Sequence, residues 1–203
     1  MIPPAMILCG GQATRLYPET QTKPKALVEV LTKPFIWHQL HYLHKQGVTH
    51  AVLCTGKFSE QIKHYVGDGS LWGLEVRYSD DGDIPLGTGG AVKKALSLVP
   101  GNFILINGDT YFPLDLARSN HYFNQSSTFA RMYLYKGVNC GVYFFNRAVF
   151  KDCKKDSFEL WELLNHLIKH HEIALIETEV AFLDMGSPEG KREMEEYLWS
   201  VSH

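Results

Sequence analysis

Four cysteines in 203 residues, none in a C-x-x-C pair, leave little scope for a disulfide framework or a zinc site. Cys9, Cys54, Cys140 and Cys153 are widely spaced and three of them sit in apolar runs. Buried, reduced thiols and a reducing, cytoplasmic setting are therefore expected. No apolar stretch approaches the roughly 18 residues a spanning helix needs, so no membrane partner is expected. The start, Met-Ile-Pro-Pro-Ala-Met, lacks the basic segment of a secretory leader. A net charge of −2 supplies no global field to attract nucleic acid or an anionic membrane. Any phosphate binding must come from a local site. Neither the P-loop pattern G-x-x-x-x-G-K-[ST] nor the dinucleotide fingerprint G-x-G-x-x-G is present. Internal repeats, low-complexity tracts and linkers are absent too.

What is present is an ordinary folded composition, with 45% hydrophobic and 21% charged residues. The length suits one domain spanning 1–203. Met6–Cys9, Ala51–Thr55, Leu74–Tyr78, Phe103–Ile106, Val142–Phe145 and Leu175–Glu179 read as strands. Residues 34–46, 59–66, 90–98, 157–170 and 187–199 read as helices. Pro34 and Gly47 bracket the first helix, and Ser59 has N-cap character for the second. Alternation of strands and helices predicts an α/β fold, a mostly parallel central sheet with helices on both faces. Ligands in such sheets bind beyond the carboxyl ends of the strands. His38, His41 and His44 recur at helical spacing and read as a solvated face rather than a metal site.

The start carries the sharpest chemical signal, Leu8-Cys9-Gly10-Gly11-Gln12-Ala13-Thr14-Arg15-Leu16, with Lys23-Pro24-Lys25 a short loop later. Glycines let backbone approach a ligand closely, and consecutive free N–H groups form a concavity suited to phosphate. Arg15 and Lys25 add two positive charges beside it. Leu86-Gly87-Thr88-Gly89-Gly90-Ala91 places three glycines ahead of a helix, a second site for close backbone approach. Phe103–Ile106 runs into Asn107-Gly108-Asp109, which sets a carboxylate at a strand end, where a hard oxygen ligand suits Mg²⁺. Asp184, before Met185-Gly186-Ser187-Pro188-Glu189, is a second such carboxylate or a polar turn residue.

The opening motif resembles the signature of the sugar-phosphate nucleotidyltransferases, roughly L-A-G-G-x-G-T-R-L followed by P-K-P. Cys9 stands for the usual alanine, Ala13 for the third glycine and Ala26 for the proline after the lysine. The Leu86–Ala91 segment resembles the family's L-G-T-[AG]-[GH]-A, the Gly108-Asp109 pair its G-D, and Phe182–Glu189 its W-x-D-I-G-T-P-E. Asn139-Cys140-Gly141-Val142-Tyr143 resembles N-A-G-[IV]-[YF], and Ser157-Phe158-Glu159 the looser S-x-E. These segments occur in the family's order.

The resemblance implies a Rossmann-like three-layer α/β/α fold of the nucleotide-diphospho-sugar transferase type. The nucleotide part would span about residues 1–115 and the sugar part about 116–203. It implies an enzyme whose substrates are a nucleoside triphosphate and a sugar 1-phosphate, and whose products are a nucleotide sugar and pyrophosphate. Arg15 and Lys25 would be catalytic, the first clamping the triphosphate and the second a mobile charge between the phosphates. Leu8, Gly10, Gly11, Thr14, Gly87, Thr88 and Gly89 would bind the nucleotide, with one of Asp80, Asp81 or Asp83 accepting from the base. Asn139, Gly141 and Glu159 would bind the sugar, and Asp109 and Asp184 would hold Mg²⁺. Pro34-Phe35 and the Gly108–Phe112 block look most like the bacterial heptose 1-phosphate and mannose 1-phosphate guanylyltransferases. Thymidylyl- or uridylyltransferases are alternatives, as is a non-catalytic regulatory relative, which Ala13 would favour. Self-association as a homo-oligomer stays open. Family members have a longer stretch where only Tyr133–Val138 joins two strands, so either the sugar pocket is truncated or a mobile loop is missing from the sequence, and the second is expected because truncation would open the pocket to water.

Overall fold

Strands form here where apolar residues run nearly unbroken, because both faces of the sheet are covered by helices. The computed structural model describes residues 1–11, 16–82 and 84–202. The chain runs β1 (Ala5–Leu8), β2 (Glu29–Val30), β3 (Lys33–Pro34), α1 (Phe35–Lys45), β4 (His50–Thr55), α2 (Ser59–Val66), β5 (Glu75–Asp80) and α3 (Gly87–Ala95). It continues through β6 (Asn102–Asn107), β7 (Thr110–Tyr111), α4 (Leu116–Asn124), β8 (Ala130–Tyr135) and β9 (Val138–Asn146). α5 (Leu160–Lys169), β10 (Ile173–Thr178), β11 (Leu183–Asp184) and α6 (Pro188–Ser202) complete it. The main sheet has seven strands in the order β10-β8-β9-β6-β1-β4-β5. Within this sheet β9 runs against its neighbours, antiparallel to both β6 and β8, and the other described pairs in it are parallel.

Successive residues of one strand serve opposite cores. Ile7, Leu53 and Ile104 pack with α1, α2 and α4, whereas Met6, Val52, Phe103 and Leu105 pack with α3 and α5. A smaller cluster joins Val28, Val30, Phe35 and Met185 to Met194 and Leu198 of α6. The register aligns Leu8 with both Cys54 and Asn107, and Thr55 with Asp80. The chain therefore leaves β1, β4, β5 and β6 at one edge of the sheet, which is where the chemistry-bearing loops lie.

Several local expectations change. Phe58 is the N-cap of α2, and Ser59 is already helical, with its hydroxyl 2.9 Å from that of Thr55. α3 begins at Gly87, three residues ahead of the expected start. α4 was not anticipated; Asp115 caps it by accepting from the Arg118 N–H at 2.8 Å. His38 is buried, not solvated, with Nε2 2.8 Å from the Val30 carbonyl, while His41 and His44 are exposed. Cys9, Cys54 and Cys140 are buried free thiols, and Cys153 is a half-buried one.

The β8–β9 join is short. Tyr135 pairs with Val138, and the two residues between them, Lys136 and Gly137, have φ of 51° and 74°. Two successive left-handed residues make the turn whose twist matches a hairpin. The strands close through this two-residue turn.

Candidate active site

Beyond Leu8 the chain enters Gly10 and Gly11, both exposed at the carboxyl edge of β1. The Cys9 N–H donates to the Cys54 carbonyl at 2.7 Å, which ties the start of this loop to β4. Lys25 opens a single helical turn, Lys25–Leu27, that follows Pro24. Its Nζ lies 2.7 Å from Asp109 Oδ2, and the two side chains are 12% and 29% exposed. Asp109 sits on the turn between β6 and β7, where Gly108 is obligatory because a Cβ there would overlap the Leu8 carbonyl.

This turn is held from two further sides. Gln39 of α1 donates through Nε2 to the Asn107 carbonyl at 3.1 Å and the Thr110 carbonyl at 2.9 Å. The Met185 N–H donates to the Asp109 carbonyl at 2.8 Å, and Asp184 pairs with Thr110 across the β7–β11 ladder. The backbones that carry the two acidic residues are therefore neighbours. Asp184 itself is exposed, and its Oδ1 accepts from the Gly186 N–H. Two hard carboxylates from adjacent segments suit Mg²⁺, which takes one or two carboxylates and leaves the rest of its shell to phosphates and water. Among the described residues there is no cluster of three or more side chains that would form an all-protein metal cage.

A cavity of about 500 Å³ opens at this edge of the sheet. It brings together Leu8, Gly10, Gly11, Lys25, Gly87, Thr88, Asp109 and Glu159 of the residues expected from sequence. Asn139, Gly141, Gly89 and Asp184 are not among its lining residues. Arg15 and Thr14, with Ala13, lie outside the described residues, as does Asp83.

The residues off the cavity are engaged elsewhere. Gly89 faces the Phe158 ring, which a Cβ would overlap. Asn139 bridges its own strand: Nδ2 donates to the Tyr143 hydroxyl at 2.7 Å and Oδ1 accepts from the Gly141 N–H at 2.9 Å. Gly141 has φ of 69° at the irregularity in β9, and a Cβ there would stand 2.7 Å from both Asn107 Nδ2 and Thr110 Oγ1. Glu159 reaches the cavity wall, yet its Oε2 accepts from the Thr88 hydroxyl at 2.7 Å and the Thr88 N–H at 3.2 Å.

Of the three aspartates that the sequence left together, the structure separates Asp80 from Asp81, and Asp83 lies outside the described residues. Asp80 turns to Lys63 at 3.4 Å, whereas Asp81 lines the cavity. Among the described residues, Asp81 Oδ1 is buried without a hydrogen-bond partner, and Oδ2 has a 3.5 Å contact from the Leu86 N–H. Burial raises the Asp81 carboxyl above the usual carboxylate range. Cys9 and Cys54 also line the cavity, and burial pushes the Cys9 thiol up to about 12, so neither is a nucleophile. The residues that sequence reasoning missed are Asn107, Pro85, Ala91 and Gly186 on the wall, and Gln39 behind it. Asn107, Ala91 and Gly186 lie inside the quoted motifs without a role assigned to them, whereas Pro85 and Gln39 carry no motif.

A glycine loop and a lysine–aspartate pair, set at the carboxyl edge of a parallel sheet, are the parts of a phosphate-handling site. A family model described as "Nucleotidyl transferase" matches residues 4–136. The chain belongs to the nucleotidyl transferase family. The D-glycero-alpha-D-manno-heptose 1-phosphate guanylyltransferase of Campylobacter jejuni is 30% identical over 91% of this chain and 95% of the relative. The like-named protein of Aneurinibacillus thermoaerophilus is 32% identical over 96% of this chain and 97% of its own length. HddC from Yersinia pseudotuberculosis, in a crystal structure with GMP-PN, superposes with a TM-score of 0.83 at 25% identity, covering 97% of this chain and 99% of that one. The family match ends at Lys136, in the two-residue turn that closes this nucleotidyltransferase's β8–β9 hairpin.

Proposed function

We propose that this nucleotidyltransferase moves a guanylyl group from GTP to a heptose or mannose 1-phosphate, with Mg²⁺ bound, and releases pyrophosphate. The observation that carries the choice of base is Asp81. A carboxylate offers two adjacent acceptors, and guanine is the base with two adjacent donors, N1–H and N2–H₂, on its pairing edge. Adenine and cytosine set a donor beside an acceptor, and uracil a single donor between two carbonyls. A buried acceptor left unpaired is costly, so a site of this kind rejects a base that cannot donate twice. The names of the full-length relatives support the same base and sugar class.

The attacking sugar phosphate oxygen is already an anion, so no strong general base is required. What the site must do is bring two anions together and stabilise charge as it shifts to the leaving pyrophosphate. The N–H groups of Gly10 and Gly11 suit the triphosphate. Lys25, on a long flexible stem, suits a bridging position between the phosphates. Arg15 would complete the clamp. Asp109 and Asp184 would hold the metal, which when bound supplies Lewis-acid polarisation of the α-phosphate. The four unpaired cysteines suit a cytoplasmic setting, and no helix among the described residues is long and apolar enough to cross a membrane.

The test is pyrophosphate release with Mg²⁺ across four nucleoside triphosphates and several sugar 1-phosphates. Highest turnover with GTP and a heptose or mannose 1-phosphate is expected. Lys25→Ala should lower kcat/KM by about 100-fold or more. Preference for UTP or dTTP would keep the chemistry and overturn the reading of Asp81. Silence with every pair, while nucleotide sugars still bind, would favour the regulatory alternative.

A further inference from the structure

We propose that Lys25 has a second task in the free enzyme: its ammonium occupies the Asp109 carboxylate in place of a divalent cation, so that lysine release and metal capture are one event. The inference rests on the metal reading given above for Asp109.

The two groups are in direct contact at 2.7 Å, and both are largely withdrawn from solvent. An ammonium and a divalent cation repel each other and compete for the same carboxylate oxygens. A metal that approaches Asp109 in the absence of substrate must first displace Lys25, whose ion pair among the described residues is with Asp109. A triphosphate removes that obstacle because it is itself the anion Lys25 can take. Nucleotide therefore raises metal affinity in two ways, by supplying phosphate oxygens and by drawing off the competing cation. By reciprocity the metal strengthens nucleotide binding to the same degree.

The structure also says which partner moves. The Asp109 turn is pinned by Gln39 at Asn107 and Thr110 and by the Met185 N–H at the Asp109 carbonyl. Gly108 is pressed against Leu8 and leaves no slack. Lys25 hangs from a single helical turn by four rotatable methylenes. The carboxylate stays and the lysine swings.

The experiment is Mn²⁺ binding to the full-length protein without nucleotide, read as free Mn²⁺ by electron paramagnetic resonance. Lys25→Met keeps the stem and removes the charge; it should bind Mn²⁺ about tenfold more tightly than the wild type, as expected when one nearby like charge is removed. Lys25→Arg should stay near the wild type, and Asp109→Asn added to Lys25→Met should abolish the gain. Should Lys25→Met fail to fold, Lys25→Gln carries the same comparison. Equal or weaker binding by the uncharged variant, or no binding by either protein at millimolar Mn²⁺, overturns the inference. Because nothing is turned over, the result is independent of the transferase assay. A tightened site in an inactive protein would sink the proposed reaction and leave this inference standing.

Discussion

Thr88 and Glu159, 71 residues apart in sequence, are joined by two hydrogen bonds that end on one carboxylate oxygen. The Thr88 hydroxyl also accepts from the Leu160 N–H at 2.8 Å, so the same side chain serves the first turn of α5. The glycine-rich first turn of α3 and the start of α5 are thus one unit. Thr88→Val removes the hydroxyl from both bonds and should lower stability by about 1 kcal/mol, discounted for the exposure of the site. Glu159→Gln, which still accepts, should cost less. Urea unfolding of the two variants checks the order; a Thr88→Val midpoint equal to that of the wild type would show the junction to be idle.

Gly89 makes a sharper case. Alanine in place of glycine inside a helix ordinarily gains roughly 1 kcal/mol. Here the added methyl would overlap the Phe158 ring, and overpacking of that kind costs about 1–3 kcal/mol. Gly89→Ala should therefore destabilise despite its better propensity. Adding Phe158→Leu should recover part of the loss, which thermal melting of the single and double variants will report.

Asp81→Asn exchanges one of two acceptors for a donor. Inosine triphosphate lacks the guanine amino group and should be a poorer substrate than GTP for the wild type, by about 10- to 100-fold in kcat/KM. In the variant that ratio should collapse toward unity, chiefly through a higher KM for GTP. A ratio that stays the same would dissociate Asp81 from base choice.

His38 gives the fold an acid sensitivity. Burial lowers its pKa from the ordinary 6.5, against the opposing effect of the Val30 carbonyl, with the nearby His41 adding to the depression. Below about pH 6.5 the unfolded chain binds a proton that the folded chain does not. The stabilisation is therefore complete above that pH and is lost as pH falls through the depressed folded value. The melting temperature should drop between pH 7.5 and 5.5, and by a smaller amount in His38→Gln. Parallel curves for the two proteins would show that His38 does not contribute to the loss.

The sheet was largely legible because its strands are apolar runs bounded by glycine and polar turns, as at Met6, Val52 and Phe103. α4 was not, since only Leu116, Ser119, Asn120 and Phe123 are buried in a segment that otherwise reads as polar. His38 was misassigned for a related reason: a polar side chain on a helix looks solvated until a carbonyl from another segment meets it. The motif glycines were visible, but their partners were not. Gly87 and Gly90 press against the backbone of residues 156–158, and Gly89 against the Phe158 ring, so part of the motif serves chain-to-chain packing. Nor can burial be read from acids so close in sequence, which is why Asp81 stood level with Asp80.

The two-residue turn at Lys136 and Gly137 sits on strands that outrun their neighbour. β9 stops pairing with β6 at Val142, opposite Ile106, while residues 138–141 continue past that point beside β8. Additions at this tip would enlarge the rim near the catalytic edge and leave every paired residue of the main sheet in register. The hairpin is thus a place where new sequence can be tried without renegotiating the core.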